Sequence, residues 1–278
     1  HHDVGFLWLH TAVANYRLTG NPESKTRGLK AASILAGRYN PRGRFIRAWN
    51  HDCIGWMIVD CMMNIPLLYW ASGETKDPRF TWIAKDHADT TMRVTVRPDG
   101  SCHHIVVFDP ETGEVLDTPT GQGYAPGSSW SRGQSWALYG FGLSYRHTRD
   151  EEYLTTAKRV AHYFIAGAAM TDYVPLVDFR APAEPVLYDT TAGMIAACGL
   201  LELAEFVPEF ERPLYVTAAL KMLRATVEKH CDFNPETDAI THWGSERYHG
   251  KVNLPIIYGD YFLIEAVLRL RGRAFHIW

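Results

Sequence analysis

Apolar and polar positions along the chain follow a helical period almost throughout, with few strand-like alternations. Gly5 to Leu18 reads as a mostly apolar helix that stops at Thr19, Gly20, Asn21 and Pro22, where a new helix can start. An amphipathic helix is predicted from about Glu23 to Tyr39. The same pair recurs three times. Ile54 to Trp70 is apolar almost all round, stops near Ser72 and Gly73, and precedes a more polar helix from about Pro78 to Val96. Trp130 to Tyr145 precedes Glu151 to Ile165, and Thr190 to Phe206 precedes Arg212 to His230. A last apolar helix runs from about Tyr258 to Leu270. A helix that is apolar all round is buried, whereas one with a polar stripe faces water. Alternation of the two kinds describes a ring with buried helices inside and amphipathic helices outside. The spacing of more than fifty residues between repeats is longer and less regular than that of open helical solenoids.

Composition narrows the function only slightly. Hydrophobic residues make up 46% and charged residues 21%, which is ordinary for a folded soluble domain. A formal charge of −3 supplies no basic face for nucleic acid and no polybasic membrane signal. Aromatic residues are in excess at 13%, with nine Trp and fourteen Tyr, which suits either a bulky core or walls that stack on sugar rings. The five cysteines (Cys53, Cys61, Cys102, Cys198, Cys231) are odd in number and lack paired metal-ligand spacing, so neither a disulfide framework nor a zinc site is expected. No secretory leader and no apolar run long enough to span a membrane is recognisable, so a cytoplasmic setting is expected.

Candidate chemistry begins with Asp60, a carboxylate inside the run from Ile54 to Trp70. Burying an unpaired charge is costly, and the usual escape is a raised pKa. On a continuous helix Asn64 lies one turn later and is placed to hold the carboxyl. A neutral, positioned carboxylic acid is what a general acid requires; the competing reading is a structural aspartate satisfied by backbone groups or an arginine. Asp3, ahead of another apolar helix, reads most simply as its N-cap. Gly121 to Trp136 is the densest polar and aromatic stretch: Ser128 or Ser129 is placed to cap the next helix, and Trp130, Arg132 and Trp136 cluster at its start. An arginine at an aromatic mouth suits bidentate grip of a carboxylate. His103 and His104 lie before a short strand-like segment, Ile105 to Phe108; adjacent residues there point apart, and no metal site is expected. Asp189 reads most simply as an N-cap.

At these residues the sequence resembles the unsaturated glucuronyl hydrolases of glycoside hydrolase family 88. The matching stretches are His2 to Phe6, Ala48 with Trp49, Val59 to Trp70, Phe108 to Gly113, Gln122 to Tyr124, Trp130 to Trp136, Ala196 to Leu203 and Gly259 to Tyr261. They are collinear from one end of the chain to the other. The resemblance implies an all-α, six-hairpin (α/α)6 toroid forming one catalytic domain over residues 1–278, here expected to lack its N-terminal helices. It implies hydrolysis of the 4,5-unsaturated uronic acid that lyases leave at the non-reducing end of oligosaccharides, by protonation and hydration of the vinyl ether. Asp60 would be the general acid/base and Asp3 the second pocket carboxylate. His104, Gln122 and Arg132 would form the polar lining, beside Trp49, Trp130 and Trp136 as aromatic walls. No metal or organic cofactor is implied. Relatives that accept sulfated sugars carry a Ser/Thr and Lys cluster; the stretch Glu246 to Leu254 lacks that serine spacing, leaving Arg247 and Lys251 as the cations there. The seam left by absent helices would favour a homo-oligomer. Two other functions fit the same features: the related unsaturated rhamnogalacturonyl hydrolases, and a sugar-binding toroid without catalysis.

Overall fold

The computed structural model describes residues 1–273 and 275–278. Its first helix is continuous but irregular: α1 (Val4–Trp8) passes through a π-helical turn (Leu9–Val13) into α2 (Ala14–Thr19), and Gly20 ends it in the left-handed conformation. Asn21 then caps α3 (Pro22–Ala36), its Oδ1 accepting from the backbone N–H groups of Glu23 and Ser24. The predicted helix over this segment is therefore shorter than expected, because Tyr39 belongs to a two-strand hairpin, β1 (Tyr39–Asn40) with β2 (Phe45–Ile46).

The largest departure from the sequence reading lies between Ile54 and Trp70. It is not one helix. Trp56–Ile58 is a strand (β3), Val59–Met63 a 3-10 turn, and only Pro66–Thr75 is α-helical (α4). Aromatic and β-branched side chains favour the strand, which pairs antiparallel with β4 (Ile105–Phe108), itself paired with β5 (Val115–Asp117). Pro66 cannot donate within a helix and opens α4 at its first turn instead. The stop is also later than Ser72 and Gly73 suggest: α4 continues to Thr75, and Lys76 adopts the left-handed cap.

The remaining helices match their apolar periods closely. They are α5 (Arg79–Val94), α6 (Ser131–Thr148), α7 (Glu151–Ala169), α8 (Thr190–Leu203), α9 (Arg212–His230) and α10 (Ile257–Leu270). Every residue of α8, and every residue of α6 from Ser131 to Tyr145, is buried. By contrast α5 buries Phe80, Ala84, His87, Ala88 and Thr91, a single stripe at helical spacing. The buried helices line the inside, α6 against α8 and α8 against α10, while α7 packs outside α6 and α9 outside α8. One continuous core runs from Leu9 to Trp278. Four hairpins and a final inner helix are thus built among the described residues, the arrangement of an α/α toroid.

A glycine sets the distance between the inner wall and the 3-10 turn. A Cβ on Gly140 of α6 would lie 2.4 Å from the Met62 Cβ and 2.9 Å from its carbonyl carbon. Gly5 plays the same part for α1, where a Cβ would meet the Asn64 carbonyl oxygen at 2.5 Å. Neither clash can be relieved by rotating a side chain, since the obstructing atoms are backbone or Cβ. Gly140→Ala is expected to destabilise the protein by about 1–3 kcal/mol, the usual range for overpacking a tight core. A thermal melt checks this, and an unchanged midpoint would show that α6 can move away from the turn.

Candidate active site

A cavity of about 400 Å³ opens at one end of the ring. Its lining comes from distant parts of the sequence: His1, His2, Asp3, Phe6 and Leu7 from the first helix; Trp49, Ile58, Asp60, Met63 and Asn64 from the strand and 3-10 turn; Gln122, Trp130, Arg132 and Trp136 from the loop and start of α6; and Tyr258 from α10. Of the residues singled out from sequence, eight line it. The ninth, His104, stands directly behind Asp60. Tyr258, Phe6 and Met63 were missed; they sit among ordinary apolar residues whose pattern says only that they are buried.

Asp60 occupies the 3-10 turn with its side chain 21% exposed, so the carboxyl reaches the cavity rather than the core. Its Oδ2 lies 3.5 Å from Nε2 of His104. The tautomer of that histidine follows from its other nitrogen: Nδ1 accepts the backbone N–H of Gln122 at 3.1 Å, so in the neutral ring the proton is on Nε2 and faces the carboxylate. Burial pushes the Asp60 carboxyl up, but the His104 contact, the field of His2 and a backbone hydrogen bond outweigh it and hold the group below the ordinary aspartate value. This corrects the sequence expectation of a neutral acid. The run around Asp60 is apolar, yet the chain brings two imidazoles to it from elsewhere. In the free protein Asp60 is a carboxylate.

Asn64 does not hold that carboxyl. Its Nδ2 reaches the backbone oxygen of Asp60 at 3.3 Å, and its Oδ1 accepts the Phe6 N–H at 2.7 Å. The broken helix explains the change, because a 3-10 turn does not place residues four apart on one face. Asn64 instead ties the turn to α1.

Asp3 precedes α1 but makes no capping hydrogen bond with its side chain. Its carboxyl is half exposed in the cavity, 2.9 Å from Nδ1 of His1 and 3.4 Å from Nε2 of His2. His2 is buried, and burial lowers its pKa despite the fields of Asp3 and Asp60, so it stays neutral at pH 7.

The start of α6 is fixed differently from the expected serine cap. Trp130 is the N-cap residue, and Ser128 and Ser129 bond to Asp178 instead. Asp178, fully buried, accepts from the Ser128 hydroxyl (2.6 Å) and from the backbone N–H groups of Tyr124 (3.0 Å), Ser129 and Arg180 (2.9 Å each). It thereby holds the loop that carries Gln122. The Arg132 guanidinium lies 5.1 Å over the Trp130 ring, donates from Nη2 to the Glu246 carbonyl at 2.9 Å, and has Nη1 3.4 Å from Oδ2 of Asp189. Gln122 donates to the same carbonyl at 2.7 Å. Asp189 is completely buried and occupies the N-cap position of α8, as expected, but its side chain makes no capping bond. Burial pushes its carboxyl up, opposed by Arg132 and nearby backbone N–H groups.

His103 turns away from the cavity onto Arg97, as the extended backbone requires. No group of three or more His, Cys, Asp or Glu side chains suited to a metal occurs among the described residues, and the five cysteines are unpaired. No described helix is long and apolar enough to cross a membrane.

With this geometry established, comparison with known proteins is informative. The sequence model of Glycosyl Hydrolase Family 88 matches residues 6–146. The chain is 36% identical to the unsaturated glucuronyl hydrolase of Bacillus sp. (strain GL1), over 100% of this chain and 76% of that protein. It is 36% identical to an unsaturated chondroitin disaccharide hydrolase of Streptococcus pneumoniae, over 97% of this chain and 70% of the relative. The crystal structure of the Bacillus enzyme superposes with a TM-score of 0.95, covering 100% of this chain and 76% of that one. A mutant of the Streptococcus agalactiae unsaturated glucuronyl hydrolase complexed with dGlcA-GalNAc6S superposes at 0.85, with 31% identity, covering 100% and 71%.

The carboxylate–imidazole pair is directly measurable. Substituting His104→Phe removes the Nε2–H donor and leaves burial as the main influence on Asp60, so its pKa is expected to rise. Titration of the Asp60 carboxyl carbon by NMR reads this; an unchanged or lower midpoint would mean that His104 does not stabilise the charge.

Proposed function

The chain belongs to glycoside hydrolase family 88, and from that premise we propose the chemistry its cavity performs: Asp60 protonates and hydrates the vinyl ether of a 4,5-unsaturated uronic acid. The protein is a hydrolase of unsaturated uronyl oligosaccharides. The observation that carries the assignment of roles is the placement of Asp60, a cavity-facing carboxylate backed by the Nε2 of His104.

The steps follow from the groups present. The sugar ring lies between Trp49, Trp130 and Trp136, whose faces suit its C–H surfaces, while Arg132 and Gln122 meet its carboxylate and rim. Asp3 accepts from its hydroxyls and orients the ring. Protonated Asp60 gives its hydrogen to C4, breaking the C4–C5 double bond and leaving positive charge shared between C5 and the ring oxygen. Water adds at C5, and the resulting carboxylate of Asp60 takes its surplus proton. The hemiketal so formed opens by breaking the C5–O5 bond, which leaves a ketone at C5 and a hemiacetal at C1. That hemiacetal collapses to the C1 aldehyde as the bond from C1 to the linking oxygen breaks, and the O5 proton passes to the departing sugar. Ordinary glycosidases use two carboxylates at the anomeric carbon; here one carboxyl serves both halves of a hydration. No metal or organic cofactor enters these steps.

Asp60 is ionised in the free protein, so it must acquire a proton when substrate binds. The uronate itself supplies the reason: a second negative charge beside Asp60, with water displaced, raises its pKa. The protonated form is the active one, so activity falls as pH rises through the relevant pKa. That fall is expected at lower pH in kcat/KM, which reads the free enzyme, than in kcat, which reads the complex.

Asp60→Asn is expected to cut turnover by roughly 10²–10⁴-fold or more while leaving substrate binding nearly intact. Loss of the ultraviolet absorbance of the conjugated enol ether carboxylate reads turnover, and calorimetry reads binding. A variant with wild-type turnover would remove Asp60 from the mechanism.

We read residues 1–278 as one catalytic domain, supported by the large core cluster that reaches from the first helix to α10. Self-association is part of the same proposal, supported by the exposed Ile257, Ile264 and Val267 on α10. Sedimentation velocity is expected to show concentration-dependent dimerisation, and a monomer at all concentrations would exclude it.

A further inference from the structure

Two groups that meet in the cavity wall, Gln122 and Arg132, depend on a segment far away in sequence. Residues 244–254 form an irregular hairpin closed by paired backbone bonds between Gly244 and Leu254. Its Glu246 carbonyl is turned inward and accepts from both Gln122 and Arg132, while Tyr248 N–H donates back to the Gln122 carbonyl at 2.9 Å. One shared acceptor thus registers two polar residues of the site. The strap is anchored on its other side by Ser245, whose hydroxyl donates to the Tyr188 carbonyl at 2.7 Å and whose N–H lies 3.4 Å from Oδ1 of Asp189.

Asp189 therefore touches both members of this arrangement: Oδ1 faces the strap and Oδ2 faces Arg132 Nη1. The contact with Arg132 is a charge pairing at 3.4 Å, and both atoms lack a hydrogen-bond partner. Arg132 Nη1 is thus buried against Asp189, which fixes the orientation of the guanidinium at the cavity wall. A fully buried aspartate must be paired to be tolerated, and among the described residues the cation that pairs with it is Arg132. Asp189 does not line the cavity. It has no access to a substrate.

We propose that Asp189 is a positioning residue: it holds the Arg132 guanidinium and the 244–250 strap in the register that lets Arg132 and Gln122 bind the uronate. The inference rests on the substrate reading given above. Its physical content is preorganisation, since a guanidinium with one arm on a fixed carbonyl and its charge balanced from behind loses little freedom when it meets a carboxylate. Asp189 acts on binding, while Asp60 and His104 act on proton transfer. The two effects separate in kinetics.

Asp189→Asn keeps the shape and removes the charge. On an unsaturated uronyl disaccharide it is expected to raise KM by about tenfold, as loss of preorganisation does, with kcat held within about twofold. The discriminating variant is the pair Asp189→Asn with Arg132→Met. It removes both buried charges together and so avoids stranding one of them. If Asp189 works through Arg132, the double variant has the same kcat/KM as Arg132→Met alone. A further loss in the double variant, or a KM that is unchanged or lower in Asp189→Asn, overturns the proposal. If Asp189→Asn does not fold, the comparison of double variant with Arg132→Met decides by itself. Wild-type turnover of the same disaccharide is the control: its absence would fault the substrate reading, whereas its presence with additive variants would fault only the role of Asp189.

Discussion

A negative charge has to persist at the inner end of a ring of apolar helices. Most of the site's construction follows from that requirement. A carboxylate inside such a wall costs several kcal/mol unless donors or opposite fields compensate it. Asp60 obtains compensation from His104 on the far side of a β-strand pair and from His2 ahead of α1. To let these groups reach it, the chain abandons the α-helix between Ile54 and Pro66 for a strand and a 3-10 turn, and the neighbouring helices carry glycine where they cross that turn. The Gln122 N–H on His104 Nδ1 extends the chain of dependence one step further, since it directs the imidazole proton at the carboxylate. Loop, histidine, carboxylate and helix crossing form a single mechanical unit.

The buried pair Arg132 and Asp189 meets the same constraint in another way. Two charges, 5% and 0% exposed at the side chain, neutralise each other at the cavity wall, with Arg132 lining it and Asp189 behind. Such a pair is poor evidence for stability, because desolvation offsets most of the attraction. Its value lies in geometry, with a strap contributing a carbonyl to fix the remaining freedom. A site that must bind an anion next to its own carboxylates has reason to immobilise its cation.

The helical part of this architecture was legible in the sequence, because burial imposes a period that the chain cannot hide. Arg212–His230 and Ile257–Leu270 fall within a residue of their apolar patterns. The cavity residues were legible unevenly: Gly121 to Trp136 stood out as one dense polar and aromatic stretch, whereas Trp49 carries no local sign of facing the same space and was reached through resemblance. What failed were inferences that assumed regular helix. Apolar residues from Ile54 to Trp70 are equally compatible with strand, turn and helix when every face is buried, so period alone could not resolve them, although Pro66 marked the break. The error then propagated to Asn64, whose partner depends on which face it shares, and to Asp60, whose environment was judged from its neighbours in sequence. The imidazoles that decide its charge come from 58 positions before and 44 after, by residue number. Asp189 was legible only in part: it does sit at the N-cap position of α8, but its carboxyl faces Arg132. A residue that precedes a helix looks like a cap, and nothing local announces an arginine 57 positions away.

The charge state of Asp60 also constrains how catalysis can start. An acid that rested protonated would be ready before substrate arrived, and the histidines around it would serve no purpose. The observed arrangement holds the carboxylate ionised, with the Nε2–H of His104 as its nearest support. Binding a uronate brings a like charge and excludes water, both of which favour proton uptake by Asp60. Those same changes strengthen the field of Arg132 on the substrate carboxylate, because less solvent screens it. In the mechanism proposed for Asp60, the ligand thus creates the acid that consumes it. A neutral sugar of the same shape would fill the aromatic walls yet leave Asp60 ionised, so discrimination between charged and uncharged rings arises at the proton-transfer step as well as at the arginine.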